Sequence, residues 1–174
     1  MTPLNSALLN EVKTIVQQGP STISSLVEAA KKGKWTSSDT TQLVGLVQPL
    51  LGFLEGYNSV GILTSAGASL GIGAEEVPGV VANTQDINAT PYFYNFVAAS
   101  FGFQEGLDGA LGILIAQGTP STLSGAQAFV DANITIVAGV GVSFSADDQI
   151  MMFVSTGEDA SLALGAGWTY IKQL

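Results

Sequence analysis

The chain has 174 residues, with five lysines, no arginine, histidine or cysteine, and fourteen acidic residues, for a net charge of −9. Without imidazole or thiolate there can be no Ser-His-Asp or Cys-His catalysis, no disulfide framework and none of the usual zinc or haem ligation. The cations are Lys13, Lys31, Lys32, Lys34 and Lys172, so residues 35 to 171 carry none; nucleic acid, phosphate groups and anionic bilayers all require such cations.

The length suits one domain with a sizeable core. The first residues, Met1-Thr2-Pro3-Leu4, lack a basic start followed by an apolar run, so no signal peptide is expected. No stretch of about 18 apolar residues suggests a transmembrane helix. The chain is therefore expected to be cytoplasmic, or secreted with its leader removed.

Three short amphipathic helices are predicted first. Leu8, Val12, Ile15 and Val16 share one helical face over residues 4 to 18, which Gly19-Pro20 ends. A second helix over residues 21 to 32 places Ile23, Leu26, Val27 and Ala30 together, with Gly33 as its stop. Ser37 or Ser38 caps a third, with Leu43, Leu46, Val47, Leu50 and Leu51 on its apolar face and Pro49 near its end. Lys31, Lys32 and Lys34 read as a solvated helix end, favoured there by the helix dipole.

At Tyr57 the period changes from 3.6 to 2. Val60, Ile62, Ala66, Ala68, Leu70 and Ile72 alternate with small residues, as one bent strand or a hairpin. Residues 75 to 83, with Pro78 and Gly79, read as a loop with a short strand at Val80-Val81. Residues 92 to 103 and 110 to 117 are predicted strands. Thr119-Pro120-Ser121 opens a predicted crossover helix through Phe129 and Val130. Strands follow at 133 to 144, at 149 to 155, and after Gly157-Glu158-Asp159.

The clearest alternation lies between Ala132 and Tyr170. Ile134, Ile136, Ala138, Val140, Val142 and Phe144 form one bulky face, and Ala160, Leu162, Leu164, Ala166, Trp168 and Tyr170 another; the intervening positions are small. Bulky faces turned inward predict strands wrapped around a filled interior. The expected fold is mainly β, a closed antiparallel barrel of about eight strands, α+β overall through two or three N-terminal helices. Residues 1 to 55 form the helical region packing on the barrel and residues 56 to 174 the glycine-rich barrel itself.

Candidate chemistry is sparse. Glu75-Glu76, Asp147-Asp148 and Glu158-Asp159, with Glu105 and Asp108, read as solvated turn carboxylates without the alternation of a calcium loop; two of them converging in space would allow a carboxylate-based enzyme. Gly71-Ile72-Gly73 and Gly139-Val140-Gly141 lack the following helix of a dinucleotide site. Tyr92, Tyr94, Phe96, Phe101, Phe103, Trp168 and Tyr170, with Phe93, either fill the core or line a cavity for a small hydrophobic ligand, the tyrosine hydroxyls orienting it. No catalytic residue, metal ligand or cofactor is predicted.

Over residues 108 to 170 the layout resembles the small virulence-associated Vap proteins of pathogenic actinobacteria. The resemblance rests on a Gly109-Ala110-Leu111-Gly112 strand, a crossover opening Thr119-Pro120-Ser121-Thr122-Leu123, and strands closing in a glycine-rich end at Trp168. It implies an eight-stranded antiparallel barrel, a secreted, non-enzymatic role and action in or near host membranes, and it carries over no functional residue. The resulting expectation is a non-enzymatic binding or interaction module, secreted or membrane-associated, with a partner protein or a small hydrophobic ligand and possible membrane contact through the N-terminal helices. The alternatives are a lipocalin-like carrier and an enzyme of converging carboxylates.

Overall fold

A computed structural model of the chain describes residues 6–64, 74–101, 111–132, 140–145, 149–154 and 162–174, with side chains described except at 74–75, 98–101, 126–132, 140–145 and 162–167. Three helices come first: α1 (Ser6–Gln18), α2 (Pro20–Lys31) and α3 (Ser37–Val47), followed by a 3-10 segment, Gln48–Phe53. Pro20 occupies the first turn of α2, where its missing N–H costs no bond. Gly33 follows α2 at φ 69°, a conformation that stops a helix and suits glycine. The cap of α3 is Thr36 rather than the expected Ser37 or Ser38. Its hydroxyl accepts from the Asp39 N–H and the Asp39 carboxylate accepts from the Thr36 N–H, a reciprocal capping box.

The strands are β1 (Ser59–Thr64), β2 (Ala74–Asn83), β3 (Tyr92–Phe101), β4 (Leu111–Ala116), β5 (Gly125–Ala132), β6 (Val140–Ser145), β7 (Gln149–Val154) and β8 (Leu162–Gln173). All pairings are antiparallel, in the order β1-β2-β3-β8-β5-β6-β7-β4, and β4 pairs with β1 so that the ladder returns to its start. Several sequence expectations change here. Residues 75 to 83 are not a loop but part of the ten-residue β2; Pro78 is tolerated because it lies one residue beyond the last β1 pair, Leu63 with Gly79. The predicted crossover helix through Phe129 and Val130 is only a 3-10 turn, Pro120–Thr122, and those two residues belong to β5. The segments 65–73, 102–110, 133–139 and 155–161, which hold parts of the predicted strands and turns, lie outside the described residues.

The expected closed barrel of about eight strands around one filled interior is also corrected. The strands with described side chains form an open six-stranded antiparallel sheet, β7-β4-β1-β2-β3-β8, with three helices laid on one face. Its two ends are joined only through the backbone pairing of β5 and β6, which meet each other over four residue pairs. Alternation of bulky and small residues implied a single filled interior, whereas this sheet has a core on each side. β1, β4 and β7 are buried at almost every position, whereas a strand with one solvated face would be buried at every second one.

On the outer side, Val60, Ile62, Val80, Ile113, Ile115, Ile150 and Met152 pack against Leu8, Val12, Ile23, Leu26, Leu43 and Leu50 of the helical region. The apolar helix faces are thus used within the molecule. On the inner side, Leu63, Val77, Val81, Tyr94, Phe96, Leu114, Met151 and Phe153 form a second cluster, with Leu123 beyond the 3-10 turn packed against it. Glycine supplies the close approach between strands: a Cβ on Gly112 would stand 2.5 Å from the Met152 carbonyl oxygen. Hydrogen bonds from Asn58 Nδ2 to the Gln117 carbonyl (2.8 Å) and from Ser59 Oγ to the Gly118 carbonyl (2.6 Å) fix the start of β1 to the end of β4.

Candidate functional site

The register divides the predicted aromatic set instead of gathering it. On β3, Tyr94 and Phe96 point inward and are fully or almost fully buried, while Tyr92 is half-buried. On β8 the expected parity is reversed. Trp168 pairs with Val97 and Tyr170 with Asn95, all four on the outer side, and Trp168 and Tyr170 are 48% and 55% exposed. Thr169, read as part of the bare face, is the buried one. A two-residue period fixes which side chains share a face but not which face is covered. The side chains of Phe101 and Phe103 lie outside the described residues.

Inside the sheet three polar side chains meet among apolar ones. The Tyr94 phenol donates to Gln149 Oε1 (3.0 Å), and Gln149 Nε2 donates to the Leu123 carbonyl (3.4 Å), tying β3, β7 and the turn before β5 together. Burial pushes the Tyr94 phenol far above the usual tyrosine range, against a smaller lowering influence from the Thr169 hydroxyl. Thr169 Oγ1 itself is buried without a hydrogen-bond partner. A phenol held neutral and an uncharged amide offer no general acid or base at ordinary pH. The cluster orders the core.

The outer side of β3 and β8 is different in kind. The Trp168 and Tyr170 rings stand 6.3 Å apart between centroids and are tilted by 48°. Val97, 38% exposed, extends the apolar surface. Asn95 Nδ2 donates to Glu76 Oε1 (3.1 Å), and the same oxygen lies 4.0 Å from Lys31 Nζ; Asn95 Oδ1 is buried without a partner. Sequence reading placed Glu76 among the solvated turn carboxylates and gave Asn95 no role; the adjacency that joins them, Glu76 opposite Val97 and Asn95 opposite Pro78, exists only in the β2–β3 register.

Of the predicted carboxylate pairs, only the Glu76 side chain falls among the described residues; those of Glu75, Glu105, Asp108, Asp147, Asp148, Glu158 and Asp159 lie outside them. Among the described residues no cluster of three or more acidic side chains could hold a metal ion. At the end of α2, Lys32 pairs with Glu28 at 3.2 Å, and an open surface groove runs past Ser24, Ser25, Glu28, Lys32 and Lys34. No helix among the described residues is long and apolar enough to cross a membrane. No family model, curated protein or solved structure matches this chain.

Proposed function

We propose that the protein is a non-enzymatic binding module whose contact surface is the outer side of β3 and β8. The observation that carries this reading is the outward display of Trp168 and Tyr170, two large aromatic side chains about half exposed at alternate positions of β8. The rest of the described outer surface of the sheet, on β1, β4 and β7, is covered by α1 to α3. Large aromatic residues left in solvent are costly for solubility, and they are the side chains most enriched at the centres of binding surfaces.

The inner side supports this choice over a carrier. The described interior is occupied by Leu63, Val77, Val81, Phe96, Leu114 and Phe153 in mutual contact, and Tyr94 spends its hydroxyl on Gln149. The likeness to the Vap proteins is compatible with a non-enzymatic role and supplies no contact residue. Oxidative footprinting tests the reading: Trp168 and Tyr170 should be protected when the protein is placed in an extract of its source cells, relative to buffer. Equal oxidation of both residues in the two conditions would remove the proposed face.

A further inference from the structure

We propose that the outer face of β3 and β8 binds an uncharged glycan chain, with Trp168 and Tyr170 as two successive stacking platforms; this rests on the binding-module reading and names its ligand. The two residues are separated by one position on β8, project from the same side, and have ring centroids 6.3 Å apart at 48°. Neighbouring sugar rings of a glycan chain are likewise adjacent and turned relative to one another. The negative π face of each aromatic ring attracts the weakly positive C–H face of a pyranose. Beside Tyr170 stands the hydrogen-bonded pair of Asn95 and Glu76, and Lys172 follows on the same side of β8. The Glu76 carboxylate, held in place by the Asn95 amide, and the Lys172 ammonium supply an acceptor and a donor for sugar hydroxyls.

Size and charge argue against other occupants. A Trp or Tyr side chain offers about 150–250 Å² in total, so two half-exposed rings with Val97 present roughly 200–300 Å², against about 800 Å² on each partner of a stable protein interface. A protein partner or a second copy needs far more than this patch. The net charge of −9, with no cation between residues 35 and 171, opposes anionic ligands. Lys31, 4.0 Å from Glu76 Oε1, offsets that carboxylate locally, so the face does not select cations either.

The test uses the full chain. Trp35 is the one other tryptophan, so a Trp35→Phe variant makes Trp168 the sole tryptophan emitter, and it is titrated with soluble oligosaccharides of the cellulose, chitin, xylan and mannan types. Calorimetry on the unmodified protein repeats each titration, because Trp35 Nε1 donates to Thr40 Oγ1 and its removal can disturb the helical region. The expected result is saturable quenching with at least one oligosaccharide, weakened at least tenfold by Tyr170→Ala and several-fold by Asn95→Ala. No response to any of the four classes overturns the glycan assignment, as does binding that Tyr170→Ala leaves unchanged. Association with phosphatidylcholine vesicles, lost in the Trp168→Ala, Tyr170→Ala double variant, also overturns it, in favour of a membrane surface. Footprint protection without glycan binding leaves the contact face standing; absent protection removes both.

Discussion

Tyr94 and Gln149, 55 residues apart in sequence, meet inside the sheet through a phenol-to-amide hydrogen bond of 3.0 Å. Both are buried, at 0% and 1% exposure, so neither can exchange its partner for water. Tyr94→Phe leaves Gln149 Oε1 without this donor, and a loss of about 1–3 kcal/mol is expected in urea unfolding.

The same phenol sets an alkaline limit. Burial raises its folded pKa above the unfolded value of about 10. Its contribution is therefore complete below pH ~10 and is lost as pH rises from there toward the folded value, because the unfolded chain can release the proton and the folded one cannot. Thermal unfolding followed from pH 9 to 11.5 should show a steeper decline for the parent protein than for Tyr94→Phe. Parallel declines would show that the phenol does not set the limit.

Thr169 supplies the opposite case. Its hydroxyl is buried and has no partner, so removing the oxygen while keeping the shape should help. Thr169→Val is expected to gain about 1 kcal/mol, read as a rise of roughly 2–4 °C in Tm. A fall in Tm would show that the hydroxyl is satisfied.

Glycines at two sites should respond in opposite directions. A Cβ at Gly112 would stand 2.5 Å from the Met152 carbonyl oxygen and 2.9 Å from the Phe153 ring, contacts that β4 and β7 cannot relieve without moving apart. Gly112→Ala should cost about 1–3 kcal/mol. Gly45 lies inside α3 with nothing within 4 Å of a built Cβ, so Gly45→Ala should stabilise by up to about 1 kcal/mol. Chemical denaturation of the pair decides whether strand approach, rather than glycine content as such, limits stability.

The capping box of α3 can be tested separately. Thr36→Ala removes the acceptor for the Asp39 N–H and is expected to cost about 0.5–2 kcal/mol. Thr36→Ser should retain most of the stability. Equal losses in the two variants, measured by circular dichroism melts, would exclude the hydroxyl as the cause.

Local chemistry was enough to read the helices: Leu8, Val12, Ile15 and Val16 recur at helical spacing because one face must be covered, and Pro20 and Gly33 bound α2 through their own backbone preferences. The strand character of residues 92 to 101 and 111 to 116 was legible for the same reason, since β-branched and aromatic residues fit a pleated surface. Residues 125 to 130 were misread because Pro120 starts a helix and a 3-10 turn equally well, and only the pairing of β5 with β8 decides between them. β2 was missed because Pro78 is a loop signal unless it falls beyond the pairing with the strand its missing N–H would face, as it does here with β1.

Alternation by itself determined that Trp168 and Tyr170 share one face and Thr169 the other. Which face meets solvent was decided by the tertiary structure, through the pairing of Trp168 with Val97 and Tyr170 with Asn95 and through the helices covering β1, β4 and β7 instead of β8. The period of a strand is a local property of its backbone, whereas the side that is buried depends on what packs against it from elsewhere in the chain.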